Sequence, residues 1–501
     1  MHNLAEKEKS SYGHVLKYIS IFGGVQGLNI LIGLVRNKII SYLLGPGGVG
    51  LASLFNSTIN FISQSTNMGI SFSAVRHVSE LFDAGDEEKI GHFVKVVRVW
   101  SILTALIGMM VCVVAGPLLS NYTFAWGDHT LHFVLLAPAV GLMAITGGES
   151  AILKGCRRLK SLAMIQVVNV LLALLVSVPV YYFFGQAGIV PVIVMLAFLS
   201  MVVTIRYSYQ LYPLRLTGSN GILGEGMGMV RLGIAFVLAG ILGSGVEIVI
   251  RSYLNVVSNL EVVGFYNAGF MLTVTYAGMV FSAMETDYFP RLSTVGTDRV
   301  AMSDMVNKQI EVSLLIISPL LTLLIVLMPL VVPLLFTNEF MPVVTMAQTA
   351  VFSMYFKAVS LPISYLQLAR ANSLAYLGLE ATYDLLLVAL VIVGYQYWGL
   401  LGTGVALSVS YLLDVLMVYF YARIKYGYSM SVSVLQLVAI QIPLGGAVYI
   451  TTWIDNGIVA WGLGLMLCFV SMAVSFYVLH QKTGLWNALK KRLFSKLHRG
   501  A

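Results

Sequence analysis

The stretch QIEVSLLIISPLLTLLIVLMPLVVPL occupies residues 309–334 and carries one charged side chain, Glu311, near its start. About 20 consecutive apolar residues cross the hydrocarbon core of a bilayer, so this stretch is predicted to be a membrane-spanning helix. The same criterion marks fourteen segments, at 15–40, 47–70, 95–117, 130–153, 161–184, 187–208, 232–256, 262–285, 309–334, 344–367, 372–395, 398–421, 431–453 and 458–480. The predicted fold class is therefore an all-α, polytopic membrane protein with about 14 transmembrane helices.

The composition agrees with a chain that lies largely in lipid. Of its 501 residues, 58% are hydrophobic and 10% are charged, whereas about a quarter of a soluble protein is charged. Fourteen spans leave only short connections, so no folded extramembrane domain is expected. The first apolar stretch lacks a signal-peptide cleavage site and is predicted to remain as the first helix.

The positive charges are sorted across the predicted membrane. All but four of the 30 Lys and Arg residues flank the connections of one side. The opposite connections contain none; among them are 118–129, 185–186, 335–343, 396–397 and 454–457. Retained cytoplasmic loops carry the Lys and Arg excess, so both termini are predicted to be cytoplasmic. The same membrane-surface electrostatics account for the net charge of +8 without a nucleic-acid partner.

The chain also repeats itself. The matching triplets and pairs are Val49-Gly50-Leu51 with Val263-Gly264-Phe265 and Gly185-x-x-Gly188 with Gly399-x-x-Gly402, both offset by 214, and Ser161-Leu162-Ala163 with Ser373-Leu374-Ala375, offset by 212. An even number of spans in each half makes the repeats parallel, related by an axis along the membrane normal. The fold is thus predicted to comprise two parallel six-helix lobes and two C-terminal helices.

The predicted domain order follows from the spans and the repeat. It is a cytoplasmic tail 1–14, an N-terminal lobe 15–208, a cytoplasmic connection 209–231, a C-terminal lobe 232–421, two additional helices within 431–480, and a basic cytoplasmic tail 481–501.

Four cations, Arg36, Lys38, Arg251 and Lys357, escape the charge sorting. Ionisable groups at membrane depth are costly and usually functional, so these four are candidate substrate-binding residues. Arg36 and Arg251 occupy equivalent places in the two halves. The alternative for these arginines, and equally for Lys38, is that the side chain snorkels to the outer headgroups.

Lys357 lies midway along the span 344–367, where a charge costs about 2.5–3.5 kcal/mol unless it faces the bundle interior or water. The alternative to substrate binding is a structural pair with Glu380 or Asp384, which lie one turn apart on the next helix. Asp384 and Asp414 are candidates for a proton or cation site.

Glu247 precedes Arg251 by four residues on the same helix face and could simply neutralise it. We count Glu247, with Glu380, Asp384 and Asp414, among the candidate ion-coupling or gating groups.

Signatures of an enzyme are missing from the sequence. It contains no phosphate-binding Gly-x-x-x-x-Gly-Lys-Ser/Thr loop, and no histidine pair at ligand spacing. Cys112, Cys156 and Cys468 have no disulfide or metal-type spacing. We therefore expect no catalytic residue, no metal and no bound cofactor, and a proton or sodium gradient as the candidate energy source.

Several short motifs occur in a familiar order. They are RNKIISYLLGPGGVG at 36–50, LKGCR at 153–157, YFPRL at 288–292, TNEF at 337–340, Lys357, and LARAN at 368–372. In this order and spacing the chain resembles bacterial polysaccharide flippases of the Wzx type. They belong to the multidrug/oligosaccharidyl-lipid/polysaccharide exporter superfamily.

The resemblance implies a two-lobed helical bundle with a cationic central cavity. It implies transfer of an undecaprenyl-pyrophosphate-linked oligosaccharide to the outer leaflet of the bacterial cytoplasmic (inner) membrane by alternating access. Such a substrate serves O-antigen (lipopolysaccharide), capsule or exopolysaccharide biosynthesis, with a glycan polymerase and a chain-length regulator as partners. Arg36 and Lys357 match positions where relatives carry basic residues. Some relatives place an acid three residues before that lysine, where this chain has Met354.

Two alternatives stay open at this point. A multidrug or cation antiporter of the same superfamily would favour a cavity dominated by acids, against which the basic exceptions argue. A membrane-embedded glycan polymerase or ligase should show a long outer loop with Arg, His or acidic residues. The outer connections are short and contain no Lys or Arg, which argues against such an enzyme.

Overall fold

The computed structural model describes residues 2–123, 128–213, 222–281, 288, 291–292, 295, 298–370 and 372–483. Throughout these ranges the regular structure is helical and contains no strand, which confirms the all-α fold class. Contacts divide the chain into two compact units. The first comprises Met1–Gly264 with Leu334–Thr337, and the second comprises Phe265–Pro333 with Asn338–Ala501.

Fourteen α-helices follow one another in the described ranges. They are α1 His2–Thr66, α2 Ile70–Ala84, α3 Glu87–Thr123, α4 Thr130–Gly155, α5 Leu159–Phe184, α6 Ile189–Leu211, α7 Ile222–Val257, α8 Leu260–Phe270, α9 Arg299–Leu335, α10 Val343–Ala350, α11 Phe352–Ala369, α12 Ser373–Tyr426, α13 Val432–Thr451 and α14 Gly457–Thr483. A 3₁₀ turn, Gly185–Gly188, joins α5 to α6, and a π-helical segment, Met271–Tyr276, continues α8.

Glycines divide the longest helices into two membrane crossings each. At about 1.5 Å per residue, the 54 residues of α12 would extend about 80 Å, far more than one bilayer core. Gly399 breaks α12 with a φ of 57°, and Gly45 breaks α1 with a φ of 65°. Gly185 turns the chain between α5 and α6 with a φ of 53°. Only glycine adopts this left-handed region without a steric cost, so these three residues make turns of minimal length.

The predicted spans correspond to the observed helices. Among the described residues, nine stretches are long and apolar enough to cross a membrane. Three of them, Gly27–Thr66, Lys160–Leu211 and Ser373–Tyr426, contain one of the glycine turns and therefore supply two crossings each. The other two predicted spans correspond to α8 with its π-helical continuation and to α10 with α11. The structure is that of a multi-pass membrane protein.

Helices extend beyond the apolar segments in several places. Helix α1 begins at His2 rather than at 15, and α7 begins at Ile222 rather than at 232. Hydrophobicity locates only the part of a helix that lipid solvates, and a helix can continue through polar residues into the headgroups. Helix α2 falls mostly inside the connection between the second and third predicted spans and was not predicted.

Helix α2 packs against α3 and α4 in the first unit. Gly69 and Gly85, both left-handed, bound it, and Ala74 and Val78 are buried in a cluster with α3. Asp86 then caps α3, because its carboxylate accepts from the backbone N–H of Lys89 at 3.1 Å. The Lys89 side chain, through a hydrogen bond to the carboxylate, holds the pKa of Asp86 below its ordinary value.

The backbone corrects the register of the repeat at one turn. Arg158 and Asn372 are the N-caps of α5 and α12, and Cys156 and Arg370 are the C-caps of α4 and α11. Both pairs are offset by 214, as are the Gly185 and Gly399 turns. The offset of 212 read from the Ser-Leu-Ala triplets is therefore wrong for the backbone, where Arg370 corresponds to Cys156.

Candidate functional site

Arg251 is held inside the first unit by two side chains. Its guanidinium donates from Nε to Ser53 Oγ on α1 at 2.8 Å and forms an ion pair with Glu247 on α7 at 3.0 Å. The arginine side chain is buried, whereas that of Glu247 is 45% exposed. The predicted i, i+4 pair is present, so Glu247 offsets the charge of Arg251 while the carboxylate stays open to its surroundings.

Arg36 and Lys38 contact different parts of the first unit. Arg36 Nε donates to Ser177 Oγ on α5 at 3.3 Å. Lys38 Nζ donates to the backbone carbonyl of Phe336, just after α9 ends. A cation at a helix C-terminus stabilises the unpaired carbonyls there, so the contact gives Lys38 a structural role.

Helix α7 packs in the first unit, although the repeat assigns it to the second half. Asn255 Nδ2 donates to the Thr123 carbonyl at the end of α3, at 2.8 Å, close to the Arg251 contact with α1. A Cβ atom on Gly50 would lie 1.9 Å from the Leu260 carbonyl oxygen, and one on Gly264 would lie 2.1 Å from the Pro46 oxygen. The two repeat glycines thus let backbones touch directly.

Lys357 lies on α11 in the second unit and is half-buried. Its Nζ lies 5.8 Å from the ring centroid of Phe281 and 5.9 Å from that of Tyr411, within the range of cation–π attraction. The Tyr411 ring in turn packs on Tyr383, with centroids 5.1 Å apart. None of the carboxylates in the described ranges forms an ion pair with Lys357.

Two acids lie near this lysine, and a third lies near one of them. The charges of Glu380 and Asp414, both on α12, interact with that of Lys357, and Glu380 also interacts with Asp384. The Ser360 hydroxyl, on α11, lies beside the Asp414 carboxylate. The structure therefore brings together Lys357, Glu380, Asp384 and Asp414, which we call the α11–α12 cluster. Its acids outnumber its cation, so it can bind a proton or a small cation as well as an anionic group.

A buried ion pair in the first unit was not predicted. Arg98 Nε lies 2.9 Å from Glu149 Oε1, with side chains 7% and 3% exposed. Ser208 Oγ donates to the other Glu149 oxygen at 2.5 Å, and Arg98 donates to the Tyr212 carbonyl at 2.9 Å. The pair ties α3, α4 and α6 together. Charge sorting had placed Arg98 among the cations that flank a loop, where no partner is expected.

The described ranges hold no group of three or more His, Cys, Asp or Glu side chains placed to bind a metal ion. Basic side chains reach membrane depth in both units, and acidic side chains lie near one of them. Ionisable groups at this depth usually serve a function.

The fold resembles that of known transporters. It matches an inward-facing multidrug resistance MATE family transporter of the MOP superfamily (14% identity, 80% of this chain and 94% of the other, TM-score 0.68). It also matches the lipid II flippase MurJ in an inward closed conformation (14%, 92% and 98%, 0.65) and a MOP superfamily transporter from Pyrococcus furiosus (14%, 82% and 94%, 0.58). The class of protein is therefore a polytopic membrane protein with the MOP-superfamily transporter fold.

The sequence assigns the chain to a family within this class. A family model described as a polysaccharide biosynthesis protein matches residues 39–345, more than half of the chain, and the chain belongs to that family. No curated protein sequence matches it. The family match agrees with the predicted resemblance to polysaccharide flippases, and the solved structures show the predicted fold of the exporter superfamily.

Proposed function

We propose that the chain is a flippase that moves an undecaprenyl-pyrophosphate-linked oligosaccharide from the cytoplasmic to the outer leaflet of a bacterial inner membrane by alternating access. The product would serve O-antigen, capsule or exopolysaccharide synthesis, with a glycan polymerase and a chain-length regulator acting next. The observation that carries the proposal is Lys357, a cation at membrane depth that no described carboxylate neutralises by an ion pair.

A pyrophosphate suits this environment. An ammonium that contacts aromatic rings can still bind an anion, because cation–π contacts are weaker than an ion pair with a carboxylate or phosphate. The polysaccharide family match supports a glycan as the rest of the substrate. The MurJ likeness supports a fold that can move a lipid-linked substrate. Arg36 and Arg251 are the further cations proposed to meet the headgroup, and Lys38 is the weakest member because it caps a helix end.

The α11–α12 cluster is proposed to couple transport to a proton or sodium gradient. Asp384 and Asp414 would take up the ion, and Glu380 would transmit the change of charge to Lys357. The charge interactions that link Glu380 and Asp414 to Lys357 support this assignment. Glu247 is proposed to act as a gating group, because the exposed carboxylate can release the Arg251 guanidinium to an anion.

The test replaces Lys357 and measures both the surface glycan and the lipid-linked precursor. Lys357→Ala should lower surface glycan strongly and let the precursor accumulate in the inner leaflet, whereas Lys357→Arg should retain part of the activity. Lys308→Ala is the matched control, because Lys308 is 72% exposed and pairs only at the surface with Asp304. Normal glycan from a stably expressed Lys357→Ala variant would remove the proposed site.

A multidrug or cation antiporter is a second candidate, and the three acids of the α11–α12 cluster favour it. An antiporter would need these acids rather than Lys357. Asp414→Asn should then abolish efflux of a cationic dye from cells, while Lys357→Met leaves it intact. If the chain is a flippase, neither the original protein nor either variant should export the dye.

A further inference from the structure

The turn between α4 and α5 concentrates exposed positive charge. Five cations form what we call the basic turn surface: Lys154, Arg157, Arg158, Lys160, and Arg206 near the end of α6. Helices α5 and α6 pack against each other as an antiparallel pair around the Gly185 turn. Lys160 and Arg206 lie about 38 and 32 Å from that turn along their helices, roughly one bilayer core away. Both side chains are thus at headgroup depth on one side of the membrane.

On α5, Lys160 lies at the end of an apolar face that contacts lipid. Met164, Leu171 and Leu175 are exposed, and their spacing of seven and four residues places them on one helix face. Lys160 precedes Met164 by four residues and lies on the same face. An exposed apolar stripe on a membrane helix faces acyl chains, so Lys160 lies where the stripe meets the headgroups.

Helix α6 repeats this arrangement. Met195, Phe198 and Val202 are exposed at spacings of three and four residues, and Arg206 follows Val202 by four. Two neighbouring helices therefore each carry an apolar stripe that ends in a cation. A ligand reaches these two cations from the lipid.

The backbone of the turn holds an arginine in a position that favours glycine. Arg157 has a φ of 54°, and the N–H of Arg158 donates to the Leu153 carbonyl at 2.9 Å, which closes a Schellman motif. The left-handed residue of this motif is usually glycine because a Cβ atom is strained there. A glycine would fit position 157 without this strain, so Arg157 places a charge on the basic turn surface at a cost to the backbone.

The second half of the chain provides an internal comparison. The residues 214 positions later are all uncharged: Leu368, Ala371, Asn372, Leu374 and Phe420. That turn keeps a single cation, Arg370, and has the same bond, from the N–H of Asn372 to the Gln367 carbonyl. With the exposed Arg423 and Lys425 near the end of α12, that end of the second half carries three cations, two fewer than the basic turn surface.

Four of the five cations of this surface have no acidic partner in the described ranges. Lys154, Arg158, Lys160 and Arg206 form no ion pair with a described carboxylate. Glu87, whose charge acts on nearby Cys156 together with that of Arg158, accepts a hydrogen bond from the Tyr212 hydroxyl at 2.9 Å. The surface thus presents its charge outward at headgroup level.

We propose that the basic turn surface binds the phosphate headgroups of anionic phospholipids in the leaflet where the turn lies. The guanidinium of Arg157, the ammonium of Lys160 and the guanidinium of Arg206 would contact phosphate oxygens, with the acyl chains along the α5 and α6 stripes. The proposed ligand is a phospholipid of the bilayer and not the transported substrate. The proposal does not depend on the proposed function.

The test uses the purified full-length protein and two variants. Native mass spectrometry counts retained lipids, and thermal unfolding is followed while phosphatidylglycerol or cardiolipin, or phosphatidylcholine as the neutral comparison, is added to the micelles. One variant combines Lys154→Gln, Lys160→Gln and Arg206→Gln. The other is Arg157→Gly, which removes a cation and relieves the turn, so it should fold at least as well as the original chain. Arg423→Gln with Lys425→Gln is the matched control, because both cations are exposed near the end of α12.

Each removed cation should weaken binding of anionic lipid about fivefold, and added salt should reduce the difference. Arg157→Gly should therefore raise the unfolding temperature without lipid and lower the additional shift that cardiolipin gives. The control pair should retain the original shift. Unchanged anionic-lipid binding in both variants would overturn the proposal, and so would an equal loss in the control.

Discussion

Removal of Arg98 is the sharpest test of the buried ion pair. Arg98→Met keeps an unbranched side chain without the charge and leaves the Glu149 carboxylate with the hydrogen bond from Ser208. Glu149→Leu leaves the guanidinium with the Tyr212 carbonyl and the Tyr209 ring, whose centroid lies 4.0 Å from Arg98 Cζ. The double variant Arg98→Met with Glu149→Leu removes both charges together.

The structure sets the expected magnitudes. Loss of one partner from a buried pair costs about 3–5 kcal/mol of the free energy of unfolding, because the other charge is left in a poorly solvated place. Glu149 is 3% exposed, so Arg98→Met should approach that range. Replacement of both partners by apolar groups is often nearly neutral. The double variant should therefore be more stable than Arg98→Met alone by about 2 kcal/mol or more.

The assay is unfolding of the purified protein in mixed micelles with rising denaturing detergent, followed by tryptophan fluorescence. The three variants and the original chain form a double-mutant cycle, which isolates the energy of the pair. The reasoning is refuted if Arg98→Met costs less than about 1 kcal/mol, or if the two single changes simply add.

Two further changes test packing in each unit. Gly50→Ala should lower the free energy of unfolding by about 1–3 kcal/mol or more, because its methyl group would meet the Leu260 carbonyl. Gly33→Ala is the control: it has open space around it and should be neutral or slightly stabilising in the same unfolding assay. Gln441→Leu should cost about 1 kcal/mol, because hydrogen bonds between membrane helices have that size; a wild-type midpoint would show that the bonds to Ser471 contribute nothing.

The length of the apolar segments predicted the spans well, because the hydrocarbon core of the bilayer favours apolar side chains. The positions of the glycine turns at Gly185 and Gly399 followed from the repeat, since a turn of minimal length leaves little choice of residue. Helix α2 was missed because its exposed face carries the pair of Arg76 and Glu80, which hides an amphipathic helix from a hydrophobicity criterion. Alternation of its buried residues at helical spacing was the signal available.

The candidate site was predicted unevenly. Lys357 and the acids of α12 could be placed together because a charge at membrane depth is stabilised by opposite charges, and the next helix carries acidic residues. The contact of Lys38 with the Phe336 carbonyl could not be predicted, because a backbone acceptor leaves no mark in a sequence. Arg98 was misjudged for a related reason. Counting charges near the membrane boundaries treats every cation as solvated. Arg98 is instead buried, in an ion pair with Glu149 on α4.

The two C-terminal helices are joined by a polar contact inside an apolar layer. Gln441 on α13 donates to Ser475 at 3.1 Å and accepts from Ser471 at 2.7 Å, both on α14, and all three side chains are buried. Until α14 emerges from the ribosome, the carboxamide of Gln441 has no partner of its own in the bilayer. The last two helices therefore complete a polar contact for each other, and a chain truncated between them would leave this carboxamide facing lipid.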